Sequence, residues 1–345
     1  MSVPVVVFPS PRVAELRTEP RRPLGPEEVR VRTEFSGISA GTELTAYRGV
    51  NPYMSRRWDA EARLFVPGDG TLAFPVVGWG YEEVGVVTEL GSSASGVAVG
   101  DRVWGAWGHR AESVLPASIA TRHRLDPSVD PRAGIFAKIG AIALNAVLDA
   151  STGPGETAVV FGLGVPGQLV ASLLALSGAR VIGVDLHPAR RELALSRGVS
   201  RVLDPAATDV AVAVRELTDG RAADVAVEIS GAGAALHDAI RSVAYNSRVV
   251  VSGFHTGAAE AVRLGEEFHH NRIQLVSSQI SGVAPERQHR WDETRLQSAV
   301  MDLVAARSLP VLDLIGHTFP ATAAADAFRL IDERPGDTLQ VVLEF

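Results

Sequence analysis

The sequence predicts a two-domain α/β protein, a small β-barrel-like domain accompanied by a doubly wound parallel sheet, and three observations lead there. The chain has 345 residues, roughly twice the ~150 of a common domain. Up to about residue 125, short alternating runs at 29–36, 84–90 and 102–107 are punctuated by Gly and Pro turns, which is the pattern of a β-rich domain. From about 155, strand-like runs at 157–162, 180–185, 224–229 and 248–253 alternate with helical stretches at 168–176, 190–197 and 235–243. That alternation marks βαβ units and a parallel sheet.

The remaining elements complete the chain. Two amphipathic helices at 293–306 and 322–332 and a strand at 339–345 follow Trp291. The run 272–279 reads as the last strand of the parallel sheet. Composition narrows the function: 46% hydrophobic and 21% charged residues are an ordinary globular profile. The absence of Cys excludes disulfides, thiolate metal ligands and a Cys nucleophile. A net charge of −7 supplies no basic field for nucleic acid or an anionic membrane, so a small-molecule partner is expected. The N-terminal residues lack a basic region and a long apolar core, and no apolar run approaches the ~20 residues that span a bilayer; a cytoplasmic protein is expected.

The strongest local signal lies between a strand and a helix. Val159-Val160-Phe161 leads into Gly162-Leu163-Gly164-Val165-Pro166-Gly167 and an apolar helix, and the next strand ends in Asp185. Glycines at these places let the backbone turn tightly and approach a pyrophosphate at the helix N-terminus. A carboxylate closing the second strand binds the ribose hydroxyls of NAD and repels a 2′-phosphate, so NAD is the expected cofactor. Arg190 and Arg191 follow as phosphate-binding candidates or as a solvated helix face. Ser230, Gly253 and His255 sit after later strands, where ligands gather in such sheets.

With this turn placed after a β-rich region, nearly the whole chain resembles the medium-chain dehydrogenase/reductase superfamily, the zinc-type alcohol dehydrogenases and their relatives. The resemblance rests on Ser36-Gly37-Ile38-Ser39, Gly80-Tyr81-Glu82-Glu83-Val84-Gly85, Gly100-Asp101-Arg102-Val103, the Gly162–Gly167 turn, and Asp224-Val225 leading to Glu228 and Gly231. It implies a GroES-like catalytic domain built from residues 1–145 and 290–345 around a Rossmann NAD-binding domain at 146–289. It also implies zinc ligands at positions where this sequence has Ser39, Tyr81 and either Lys138 or Ala141. None suits zinc, so no metal is expected. The four-cysteine lobe of zinc members is missing too. Gly-Ile-Ser-Ala-Gly-Thr-Glu at 37–43 with Gly-Tyr-Glu at 80–82 is similar to a zinc-free branch that includes bacteriochlorophyllide a dehydrogenase and cyclitol or sugar dehydrogenases. His269-His270-Asn271-Arg272 also resembles that branch.

Without zinc, the proton that accompanies hydride needs another carrier. Tyr81 and Lys138, the only lysine in the chain, form a candidate acid/base pair in which the ammonium would lower the phenol pKa. Tyr81 as a volume filler and Lys138 as the counter-charge of Glu82 are the alternatives. Ser39, Thr42 and Glu43 are candidates for a proton relay or for a self-satisfied turn. His109, Trp104 and Trp107 are candidate cleft residues, and Trp58, in a long stretch at 51–74, is a candidate sugar-binding ring. The expected function is a zinc-independent, NAD-dependent dehydrogenase for a secondary alcohol on a polyol, cyclitol or sugar-like molecule. A quinone or enoyl reductase and a catalytically silent nucleotide-binding relative are the competing readings. A homodimer through the 272–279 edge strand is expected.

Overall fold

The structure, a computed structural model, describes residues 2–345. Its contacts divide the chain into two units, one running up to Lys138 and resuming at Met301, the other Ile139–Val300. Both boundaries fall inside helices, Phe136–Ala150 and Glu293–Ala305, rather than in linkers.

The strands in chain order are β1 (Ser2–Ser10), β2 (Val13–Pro20), β3 (Glu28–Ile38), β4 (Arg56–Asp59), β5 (Leu64–Pro67), β6 (Val76–Val77), β7 (Glu83–Leu90), β8 (Arg102–Gly105), β9 (Glu112–Pro116), β10 (Thr157–Phe161), β11 (Arg180–Val184), β12 (Arg201–Leu203), β13 (Ala223–Glu228), β14 (Val243–Val251), β15 (Gln274–Ser277), β16 (Ile315–Pro320) and β17 (Gln340–Glu344).

In the first unit the main sheet has the order β16-β17-β3-β7-β8, with β9 pairing β3 beyond the register of β17. A second sheet runs β2-β1-β6. Phe8, Tyr47 and Phe328 meet ring to ring in one core, with centroids 4.9–5.5 Å apart. Val29, Val31, Val87 and Val103 fill another, one face of each strand supplying its apolar residues. Each such ring or branched chain contributes about 1.5–3 kcal/mol on burial. The stretch 51–74, read from sequence as a long excursion, contains a 3-10 turn at Pro52–Met54 and the hairpin β4–β5.

In the second unit six parallel strands take the order β12-β11-β10-β13-β14-β15. Strand order reverses beside β10, and ligands of such sheets bind at the carboxyl ends of the strands there. Val159, Phe161, Ile182 and Val249 are buried among helix residues such as Leu236 and Ile240. The strands are therefore apolar on both faces, which is why they read as near-continuous hydrophobic runs.

One expectation is corrected. Pro131–Ala150 is a 20-residue helical run containing an 18-residue window of mean hydropathy 1.5, long and apolar enough by length and composition to cross a membrane. Arg132, Lys138, Asn145 and Asp149 interrupt it in the sequence and hide its overall apolarity. Most of that window, 78%, is buried inside the fold, and core packing accounts for its composition.

Candidate active site

In the first unit, three strands bring the motif residues together. Ser36 near the end of β3 lies opposite Glu83 at the start of β7, and Ile38 lies opposite Val341 of β17. Ser39 follows β3, just before the helix Thr42–Arg48, while Tyr81 and Glu82 immediately precede β7. The Ser39 hydroxyl and the Tyr81 phenol are 2.5 Å apart. Thr42 also hydrogen-bonds the phenol.

Behind this pair runs a buried polar chain. Glu43 accepts the Ser39 N–H at 3.0 Å and meets His109 Nε2 at 2.6 Å. His109 Nδ1 is 2.6 Å from Ser36 Oγ, which donates to Glu83 at 3.1 Å, and Glu83 also accepts the Trp107 N–H at 2.6 Å. With the Ser36 proton directed at Glu83, the network assigns the imidazole proton to Nδ1 and leaves Nε2 as acceptor. Glu43 must then carry the proton between them. The electrostatics agree: burial raises the Glu43 carboxyl well above its ordinary range and pushes His109 down to about 4. Burial, then Glu43 and Glu83, raise Glu82 as well, against a 3.1 Å hydrogen bond from Gln340. The second Glu82 oxygen is buried without a hydrogen-bond partner among the described residues.

Several sequence expectations change here. The Tyr81 phenol is displaced upward, by burial first and Glu82 next, not downward as a neighbouring ammonium would dictate. It is therefore a proton donor through neutral pH. Lys138 is half-buried in the first turn of its helix. His109 is fully buried and lines no cleft, because Glu43 and Ser36 take both ring nitrogens. Trp104 stacks on His123 at 3.8 Å and Trp107 gives its indole N–H to Thr33; both are core residues rather than substrate-facing rings. Trp58 remains 39% exposed on β4, edge-on to Phe65.

In the second unit the glycine turn has the geometry its sequence implies. Gly162 has φ +94°, and a Cβ there would press on Ser230. A Cβ on Gly167 would overlap the Gly162 carbonyl. Gly164 is the N-cap of the helix Val165–Leu176, with Pro166 in its first turn. Asp185 accepts the Leu163 N–H at 2.7 Å and the His187 N–H at 2.8 Å, and Arg190 stands 3.8 Å from it. Each carboxylate oxygen keeps acceptor capacity for a ribose hydroxyl. Arg191 is occupied by the Asp185 and Leu186 carbonyls and Asp204, which answers the phosphate question for that residue. Ser230, Gly253 and His255 converge on Glu228, a fully buried carboxyl at the end of β13.

Residues 164–298 match the sequence family of zinc-binding dehydrogenases. The chain is 28% identical over 348 residues to D-guloside 3-dehydrogenase of Escherichia coli (strain K12), covering 99% of both chains. The chain belongs to the medium-chain dehydrogenase/reductase superfamily. This medium-chain dehydrogenase is also 27% identical over 302 residues to (R,R)-butanediol dehydrogenase of Bacillus subtilis (strain 168), 79% of each. Its fold matches the crystal structure of galactitol-1-phosphate dehydrogenase from Escherichia coli with a TM-score of 0.79 at 16% identity, covering 99% of this chain and 100% of that one. It is an alcohol dehydrogenase-like oxidoreductase.

The family implies zinc, and the residues at that place do not fit it. Ser39 and Tyr81 offer hydroxyls that bond each other, and no Cys exists in the chain. Among the described residues no three His, Cys, Asp or Glu side chains are grouped to hold a metal ion. The glycine turn and Asp185, in contrast, fit a dinucleotide. Sequence reasoning passed over Ser36, Glu83 and Gln340 as parts of the site. For Glu83 the only signal was its adjacency to Glu82 at the start of a strand.

Proposed function

We propose that this chain is an NAD-dependent, zinc-independent dehydrogenase that interconverts a secondary alcohol and a ketone on a sugar-like molecule, most simply a pyranoside, cyclitol or polyol. The observation that carries it is the 2.5 Å Ser39–Tyr81 hydroxyl pair at the place where zinc-type relatives keep ligands. NAD, when bound, supplies the hydride acceptor. Gly162, Gly164 and Gly167 would admit its pyrophosphate against the helix starting at Val165, and Asp185 would take the ribose hydroxyls and disfavour a 2′-phosphate.

The protein's own residues handle the proton. A phenol kept protonated by burial and by Glu82 donates to a ketone oxygen in the reductive direction. In the oxidative direction the same oxygen, as phenolate, would take the alcohol's hydroxyl proton as the hydride leaves, so the exchange balances. Ser39 and Thr42 position the phenol, and the Lys138 ammonium is proposed to add positive charge at the reacting oxygen. Full-length likeness to D-guloside 3-dehydrogenase supports the choice of substrate class. Subunits are proposed to pair through β15, which closes one edge of its sheet.

The test is NAD+ reduction with a panel of glycosides, cyclitols and polyols, beside NADH oxidation with quinones and enones. Turnover of a glycoside or polyol by protein free of stoichiometric metal is the expected result. Enone reduction alone, or activity that needs one zinc per chain, overturns the reading.

A further inference from the structure

Glu228 makes more hydrogen bonds than a structural carboxyl at a strand end needs. Its Oε1 accepts the Ser230 N–H at 2.8 Å, the Ser230 hydroxyl at 2.5 Å and the Gly231 N–H at 2.9 Å. Its Oε2 faces His255 Nε2 at 2.8 Å, and its backbone carbonyl accepts the Ser252 and Gly253 N–H groups at 2.8 and 3.0 Å. One buried residue thus ties together the two turns that follow β13 and β14. Gly253 completes the knot, because a Cβ there would lie 2.6 Å from Glu228 Oε2. The turns stand at the carboxyl ends of parallel strands, the ligand side of this sheet architecture. Ser230 also packs on Gly162, so the knot abuts the glycine turn.

His255 is the one member of the knot with a nitrogen to spare. Its side chain keeps 18% exposure, and Nδ1 has no hydrogen-bond partner among the described residues. We propose that Glu228 is a positioning residue which holds His255 with its proton on Nε2, so that Nδ1 accepts a hydrogen bond from a hydroxyl or amide donor of the bound dinucleotide. Oε1 already receives three donors, so the carboxyl works as an acceptor, and Oε2 takes the Nε2–H. A neutral imidazole with one proton committed in this way presents a lone pair at the other nitrogen. The inference rests on the dinucleotide reading of this unit.

Three measurements test it. Nitrogen-15 spectra of histidine-labelled wild-type protein should show His255 protonated at Nε2, and Glu228→Gln should reverse this, since the amide offers Nε2 a donor. NADH titration followed by fluorescence should weaken about three- to tenfold in Glu228→Gln and in His255→Phe, the loss of one hydrogen bond. The double variant should be no weaker than His255→Phe alone, whereas a merely structural role predicts additive losses. Wild-type protein that binds neither NADH nor NADPH overturns the dinucleotide reading. Wild-type binding with unchanged affinity in His255→Phe, additive losses in the double variant, or a proton found on Nδ1 overturns the positioning role. Should Glu228→Gln not fold, the wild-type spectrum and His255→Phe still decide.

Discussion

Tyr81 and Glu43 show what burial does to single residues. Burial and Glu82 keep the phenol protonated, so Tyr81→Phe removes a donor while preserving the ring. The expected kcat loss is ~10²–10⁴ with NADH binding unchanged, measured by steady-state kinetics and fluorescence titration; a variant of near wild-type turnover would place the acid elsewhere. Glu43 has a raised folded pKa, so its contribution to stability is complete below the unfolded carboxyl value of ~4.3 and is lost as pH rises toward the folded one. His109 works in the opposite sense: lowered to about 4, it gains stability between about 4 and ~6.5 and contributes no slope above. Of the two groups only Glu43 loses stability as pH rises, by at most ~1.4 kcal/mol per pH unit. Glu43→Gln copies the protonated acid, accepting from Ser39 and donating to His109. Its Tm should therefore fall less than that of the wild type as pH rises above the unfolded carboxyl value, and parallel curves would refute the assigned proton. A lone histidine in a sequence does not reveal such a network. Nothing in Gly105-Ala106-Trp107-Gly108-His109 distinguishes a cleft from a core, and only the packing of β3 against β7 decides it.

At the scale of elements, the glycine turn was legible because strand, turn and helix each have their own signal and all three agree. Its stability is equally local. Gly167→Ala sets a methyl against the Gly162 carbonyl, so the turn must open. The expected result is loss of NADH binding and a lowered Tm; full binding with an unchanged Tm would contradict the geometry. Asp185→Ala should bring the kcat/KM values for NAD and NADP closer together, and an unchanged ratio would remove Asp185 as the selector. Trp104 and Trp107 were misread for a physical reason: alternating strand residues next to glycines look alike whether the ring faces solvent or a neighbouring strand. Here β8 is covered, and Trp104 and Trp107 retain only 2% and 8% exposure. Glu82 and Glu83 defeat alternation differently, since adjacent residues point to opposite faces and yet both are buried.

For the whole molecule, the open edge at β15 governs assembly. Leu275 is 39% exposed on that strand, and light scattering should give twice the 36.5 kDa chain mass for the wild type and a single mass for Leu275→Asp. A monomeric wild type at micromolar concentration would remove the proposed pairing. A second feature concerns time rather than energy. Ile38 accepts a hydrogen bond from Gln340, 302 residues later, and β17 fills the place beside β3 in the first unit's sheet. On a ribosome adding ~5–20 residues per second, the end of β3 therefore waits about 15–60 s for its partner, while the whole second unit is synthesised in between. The nascent chain carries an open strand edge through that interval, so the demand for chaperones falls on the part of the protein made first, and slower elongation lengthens its exposure.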